Sequence, residues 1–65
     1  MELRIWMMLS SMEVARAYTP AELAEQFGTS AAEICEMLCQ LVEVGKVRMS
    51  SDASRTIWFE RLFPG

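Results

Sequence analysis

The sequence TPAELAEQFGTSAAEICEMLCQLVEVG, residues 19–45, contains two helix start signals and two helix stop signals. Thr19 and Glu22 form a capping box with Pro20 at the first helical position, where the missing N–H costs nothing. Gly28 can adopt the left-handed conformation that ends a helix, so the first helix should stop at Phe27. The stretch therefore predicts a short helix that is followed closely by another.

The next helix begins at a second capping box. We expect the Ser30 hydroxyl to accept from the Glu33 N–H, and the Glu33 carboxylate to reach back to Ser30. Gly45 supplies the next stop signal. Two helices joined by a short turn that contains glycine are typical of a helix-turn-helix.

The apolar residues of this third helix of the chain recur at helical spacing, which predicts one buried stripe. The residues expected in the core are Ile34, Leu38 and Leu41. At about 100° per residue, the opposite face of the helix points outward. The outward residues are Ala32, Glu36, Cys39 and Glu43, flanked by Cys35 and Gln40.

Residues 3–13 predict the first helix, because apolar residues recur there at helical spacing. The core positions are Ile5, Met8, Leu9 and Met12. Almost every face of this helix is apolar. It is therefore either buried on two sides, or it leaves Trp6 or Met7 exposed for a partner.

The remaining segments predict strands. Residues 14–18 suit a short strand of two or three residues that pairs with a later part of the chain. Residues 46–49 and 55–59 alternate and are rich in β-branched and aromatic residues, with a polar turn at 50–54, which predicts a β-hairpin. The side chains expected to face the helices are Val47, Met49, Ile57 and Phe59. Those expected to face solvent or an edge are Lys46, Arg48 and Trp58.

Composition limits the classes of function. The 65 residues suit one small domain, and no apolar run approaches the ~20 residues of a membrane span. Cys35 and Cys39 lie one helical turn apart, which does not suit a disulfide, so we expect free thiols in a reducing cytoplasm. The chain has no histidine and no glycine-rich phosphate loop. We therefore expect no metal, no cofactor and no enzymatic activity.

The charges are unevenly distributed along the chain. Residues 1–44 contain seven glutamates and two arginines, a balance of −5. Residues 45–65 contain four cations and two acids, a balance of +2. The C-terminal third is therefore the region that we expect to face an anion.

The order helix, short strand, helix, turn, helix, hairpin is that of a winged helix-turn-helix, so we predict an α+β fold in a single domain, residues 1–65. The chain also resembles the small FaeA/PapI-like winged-helix regulators of fimbrial operons over nearly its whole length. The residues that carry this resemblance are Thr19, Glu22, Leu23, Ala24, Phe27, Leu38, Leu41, Gly45, Thr56, Ile57, Trp58 and Phe59. The resemblance implies a DNA-binding transcription regulator, which acts alone or beside a larger DNA-binding partner.

A contact with double-stranded DNA would have to avoid the acids of the third helix, because that helix offers Glu33, Glu36 and Glu43 but no cation. The phosphate contacts would then come from the start of this helix and from the hairpin. The candidate DNA-binding residues are Thr29, Ser30, Ala32, Lys46, Arg48 and Arg55. So few contacts would need a homodimer or a larger regulatory partner.

The outward surface of the third helix supports a second reading. Small and soft residues lie in its middle and acids at its edge, which is typical of a surface that docks a protein. The candidate protein-interaction residues are Glu36, Cys39, Gln40 and Glu43. A DNA-binding regulator and a protein-interaction module without direct DNA contact therefore both stay open.

Overall fold

The computed structural model of the protein describes residues 3–64 and has an α+β fold, with three helices and one antiparallel sheet of three strands. The helices are α1 (Leu3–Ser11), α2 (Pro20–Phe27) and α3 (Ala31–Glu43). The strands are β1 (Ala17–Tyr18), β2 (Val47–Ser51) and β3 (Ile57–Arg61). Strand β3 lies between β1 and β2, an arrangement that is compatible with a winged-helix-like layout.

Helix α2 begins and ends where the sequence predicts. The Thr19 hydroxyl accepts a hydrogen bond from the Glu22 N–H at 3.2 Å. Gly28 has a φ of 64°, and the following Thr29 N–H donates to the Ala24 carbonyl at 3.0 Å. These bonds satisfy backbone groups that a helix end leaves without intrahelical partners.

The start of α3 confirms one half of the predicted capping box and corrects the other. The Ser30 hydroxyl accepts from the Glu33 N–H at 3.2 Å, as expected. The Glu33 carboxylate, however, accepts from the Thr29 hydroxyl, not from the Ser30 backbone. The tight turn after α2 places the Thr29 hydroxyl within reach of this carboxylate, and a charged acceptor makes a stronger hydrogen bond than a neutral one.

Helix α3 ends in a Schellman motif that leads directly into the sheet. Gly45 has a φ of 78°, and the Lys46 N–H donates to the Leu41 carbonyl at 2.9 Å. The space around Gly45 is open, so the positive φ, rather than crowding, is what favours glycine there. Strand β2 begins two residues later.

One apolar core joins the helices to the sheet. The predicted stripe of α3 is confirmed, since Ile34, Leu38 and Leu41 are fully buried. The predicted core positions of the first helix are also buried: Ile5, Met8, Leu9 and Met12. The other core residues are Tyr18, Leu23, Ala24, Met37, Val47 and Phe59.

The hairpin is present, but its strands begin later than predicted. The turn covers residues 52–56 instead of 50–54, and β3 continues to Arg61. The cause is Asp52, whose carboxylate accepts from the N–H groups of Ser54 and Thr56 and so holds that segment in a turn.

The inward face of the hairpin is only partly covered. Val47 and Phe59 are buried as predicted, but the predicted burial of Met49 and Ile57 is wrong, because these side chains are 53% and 46% exposed. Met49 lies on β2, which is an edge strand of the sheet. Ile57 lies beyond the part of β3 that β1 covers, since β1 pairs with Phe59 and Glu60. Apolar positions beyond the ends of the covering elements remain in solvent.

Within residues 3–64 no helix has the length and apolar character that crossing a membrane requires.

Candidate functional site

The outer face of α3 carries the residues that the sequence singles out for protein docking. Glu36, Cys39, Gln40 and Glu43 are all exposed, with Ala32 beside them, so their predicted exposure is confirmed. We call these five residues the acidic face. Neither of its glutamates forms an ion pair with any residue from 3 to 64.

The two hydroxyl groups of the predicted phosphate site at the start of α3 form hydrogen bonds within the chain. The Thr29 hydroxyl donates to the Glu33 carboxylate, and the Ser30 hydroxyl caps the helix. A carboxylate beside the free N–H groups compensates the positive end of the helix dipole and repels a second anion. Ala32 is exposed nearby but offers no donor beyond its backbone. Phosphate binding by Thr29 and Ser30 would therefore have to displace these hydrogen bonds or overcome this repulsion.

Arg48, a predicted phosphate contact, is paired within the sheet. Its Nη2 lies 2.6 Å from Glu60 Oε1, and the two residues are directly opposite each other on β2 and β3. Such a cross-strand pair stabilises a hairpin. The sequence prediction missed it because the second strand was expected to end at Phe59, one residue before Glu60.

Arg61 has a structural role that sequence reasoning missed. Its Nη1 donates to the Leu9 carbonyl at 3.0 Å and to the Met12 carbonyl at 3.2 Å, at the C-terminal end of α1. Its Nε and Nη2 donate to the carbonyls of Phe63 and Pro64. A guanidinium can make these bonds at once because it has five donors in a fixed plane. Arg61 therefore links α1, β3 and the chain after β3.

Arg16 is paired as well. Its guanidinium lies 3.3 Å from the carboxylates of both Glu13 and Glu22, and 4.8 Å from the centroid of the Tyr18 ring. The hydrogen bond to Glu13 is the largest of the causes that raise the pKa of Arg16. Arg16 is therefore already paired with two acids of the chain, Glu13 before it and Glu22 in α2.

Two cations of the predicted DNA contact are left without such partners. Lys46 and Arg55 make no ion pair or side-chain hydrogen bond with other residues in the described range 3–64. Lys46 is half-buried at the start of the hairpin, whereas Arg55 is exposed in the turn with a φ of 65°. The cationic surface of the hairpin is therefore smaller than its sequence indicates.

Asp52 organises the hairpin turn. Its Oδ2 accepts from the Trp58 indole N–H at 3.0 Å, while its Oδ1 accepts from Ser54 and Thr56. These hydrogen bonds, with the one from Trp58 the largest, lower the pKa of Asp52 from 3.8 to about 2. Trp58, which was expected to face solvent or an edge, is half-buried because of this contact.

An apolar groove lies between α1 and the α2–α3 turn. Its volume is about 140 Å³. The residues that line it are Arg4, Met7, Met8, Phe27, Thr29 and Met37. Met7 is 59% exposed and Phe27 39% exposed, so the groove opens to solvent through two apolar side chains. Of the two alternatives for α1, the structure has the exposed one, since Trp6 is 39% exposed as well as Met7.

Both cysteines are free thiols, with Cys35 half-buried and Cys39 exposed. Among residues 3–64 no group of three or more potential ligands could hold a metal ion. Comparison of the chain with protein-family models, with curated proteins and with solved structures finds no match.

Proposed function

We propose that this chain is a winged-helix module that docks onto a protein partner through the acidic face of α3. The observation that carries the proposal is the distribution of unpaired charge. Arg16, Arg48 and Arg61 are engaged within the fold, whereas Glu36 and Glu43 are exposed and pair with no cation in the described part of the chain. Apart from Lys46 and Arg55, the unpaired charge that is free to meet a partner therefore includes the two glutamates of the acidic face.

The proposed partner has a basic surface. Two small or soft side chains, Ala32 and Cys39, alternate with the glutamates along the acidic face and allow a partner backbone or side chain to approach closely. The glutamates then pair with lysine or arginine, which speeds association and fixes the orientation of docking.

The same charges argue against a duplex that is held by α3. A helix that enters the major groove lies between two phosphate backbones, and most of the affinity comes from lysine and arginine. With a net charge of −3 and an acidic α3, the chain would be repelled from that position.

Affinity capture with matched variants tests the proposal. Wild-type chain on beads should retain a basic protein from an extract of its source after nuclease treatment. Glu36→Arg and Cys39→Arg should each lower retention about tenfold or more, because they place a cation in the contact. Glu25→Arg on α2 is the control for the charge change, since Glu25 is also exposed.

Thermal unfolding of all variants shows whether the fold is kept, and we expect midpoints close to wild type because the substituted residues are exposed. Equal retention by wild type, Glu36→Arg and Cys39→Arg would contradict the proposal.

A DNA-binding transcription regulator is the second candidate function. It is favoured by Arg55, an exposed arginine in a strained backbone conformation at the hairpin turn, and by the resemblance to FaeA/PapI-like regulators. With Lys46 and Arg55 as the phosphate contacts, it requires a homodimer or a larger partner. Gel-shift titration at low salt tests it, since Lys46→Glu with Arg55→Glu should abolish binding to duplex DNA.

A further inference from the structure

The groove between α1 and the α2–α3 turn includes Met37 of α3, the helix that also carries the acidic face. Its exposed lining residues, Met7 and Phe27, come from different helices. Leu3 is exposed four residues before Met7, on the same side of α1, and so extends the apolar surface. Three apolar side chains from two helices thus remain in solvent on one side of the molecule.

The size of the groove selects the kind of occupant. Pockets for cofactors and drug-sized ligands measure roughly 300–1,000 Å³. At about 140 Å³, this groove is too small for them and suits one apolar side chain. Three methionines line the groove, Met7, Met8 and Met37, and methionine can adjust its rotamer to such an anchor.

The charges beside the groove select the neighbours of that anchor. Met37 lies at its base on α3, and Glu33 precedes Met37 by one helical turn, on the same side of the helix. Glu36, the residue before Met37, belongs to the acidic face. Both Glu33 and Glu36 are exposed. The groove therefore has acids on its α3 side and a cation, Arg4, on its α1 side, so the cations next to an apolar anchor would lie on the α3 side.

We infer that the groove binds one large apolar side chain of a basic α-helical segment of the partner, with lysine or arginine about one turn from the anchor. A helix provides this spacing because residues three and four apart lie on one side. The inference rests on the proposed function and extends the same contact from the acidic face to α1.

A displayed library of helix-forming peptides, about 15 residues long, tests the inference. The central position carries any apolar residue or alanine, and the positions three and four residues away carry Lys, Glu or Ser. Selection on the wild-type chain should enrich a large apolar residue at the centre with lysine beside it. Fluorescence anisotropy of a labelled selected peptide, titrated with the chain, measures its affinity.

Variants of the chain then locate the contact. Met7→Glu and Glu36→Lys should each weaken a selected peptide about tenfold or more, because one places a charge at the groove and the other removes the partner of a lysine. Glu25→Lys, the control on α2, should change affinity by less than about twofold. All three positions are exposed, so the fold should be kept.

Two results would overturn the inference: selection of acidic or wholly polar peptides, and affinity that Met7→Glu leaves unchanged. The proposed function can survive either result. If Cys39→Arg still abolishes capture of the partner protein while Met7→Glu has no effect, the partner docks on the acidic face alone. If neither variant reduces capture, both the proposed function and this inference fail.

Discussion

At the scale of single residues, Asp52 makes the stability of the hairpin depend on pH. Its carboxylate has a pKa of about 2 in the folded chain against 3.8 ordinarily. Between these values the unfolded chain binds more protons than the folded chain, so stability rises with pH. The contribution is fully present above about pH 4 and is lost as the pH falls through about 2.

We therefore predict that Asp52→Asn flattens the acid limb of the stability curve. Urea midpoints of wild type and variant, measured from pH 6 down to pH 2, should converge as the pH falls, because protonated Asp52 and asparagine are both neutral. All other acids are the same in both proteins, so the difference between the two curves isolates Asp52. A constant difference across this range would contradict the prediction.

Arg55 leads to a second prediction, because its backbone φ of 65° is unfavourable for a residue with a Cβ. The left-handed conformation costs such a residue about 1–2 kcal/mol, whereas glycine loses about 0.5–1 kcal/mol through unfolded-chain entropy. Arg55→Gly should therefore stabilise the chain by up to about 1 kcal/mol, as measured by urea unfolding.

Ala53→Gly is the matched control in the same turn, since Ala53 is not among the described residues with positive φ. It should be neutral or destabilising, because glycine brings only its entropic cost there. A gain from both substitutions would show that the turn favours glycine generally. A gain from Arg55→Gly alone means that the chain keeps arginine at a cost, which is expected when an exposed cation contacts an anion.

At the scale of secondary structure elements, Arg61 connects β3 to the end of α1. Its Nη1 donates to the Met12 carbonyl and adds a second hydrogen bond to the Leu9 carbonyl, which also accepts from the Met12 N–H. Arg61→Met keeps the length of the side chain but removes every donor, so it should destabilise the chain by about 1–3 kcal/mol.

Arg61→Lys separates charge from geometry, since a lysine has the charge but not the planar set of donors. We expect it to recover less than half of the loss, measured by thermal unfolding. Amide exchange should quicken first at the C-terminal end of α1 in both variants. Full recovery by lysine would show that charge, rather than the number of hydrogen bonds, stabilises this contact.

The helices could be predicted from the sequence because their signals are local. Thr19, Ser30, Gly28 and Gly45 act on neighbouring backbone groups within a few residues, and helical spacing alone places Leu38 in the core. These signals do not depend on what the rest of the chain does.

The hairpin and the candidate sites were harder to predict because they depend on contacts between distant residues. The register that pairs Arg48 with Glu60 depends on where the turn ends, and the turn ends where the Asp52 carboxylate holds Thr56. The groove at Met7 requires α1 to pack beside the α2–α3 turn, which no local pattern specifies. The exposed face of α3 was predictable, whereas the partners of the cations were not.

At the scale of the whole molecule, pairing within the fold decides which charges are available to a partner. The sequence has six cations, but Arg16, Arg48 and Arg61 each contact acceptors of the same chain. The balance of +2 in the C-terminal third already counts Glu60 against Arg48, and Arg61 has its donors engaged, so Lys46 and Arg55 are the cations of this third without a side-chain partner among residues 3–64. Glu36 and Glu43 of α3 are exposed without such pairs in the described residues, which is why we propose protein docking rather than DNA binding.

This distribution makes a quantitative prediction for any binding to duplex DNA. Each neutralised phosphate contributes a slope of about −0.9 to the logarithm of the binding constant against the logarithm of salt concentration. Lys46 and Arg55 together should therefore give a slope no steeper than about −2 per chain. Fluorescence anisotropy with a labelled duplex, titrated at several salt concentrations, measures it.

Variants show which cations contribute to that slope. Lys46→Glu with Arg55→Glu should bring the slope close to zero, whereas Arg16→Ser should leave it unchanged, because Arg16 is already paired with Glu13 and Glu22. A slope steeper than about −4 would require at least two further cations to release their partners. The pairs of Arg48 and Arg61 would then have to open on DNA, and the charge distribution that favours a protein partner would no longer hold.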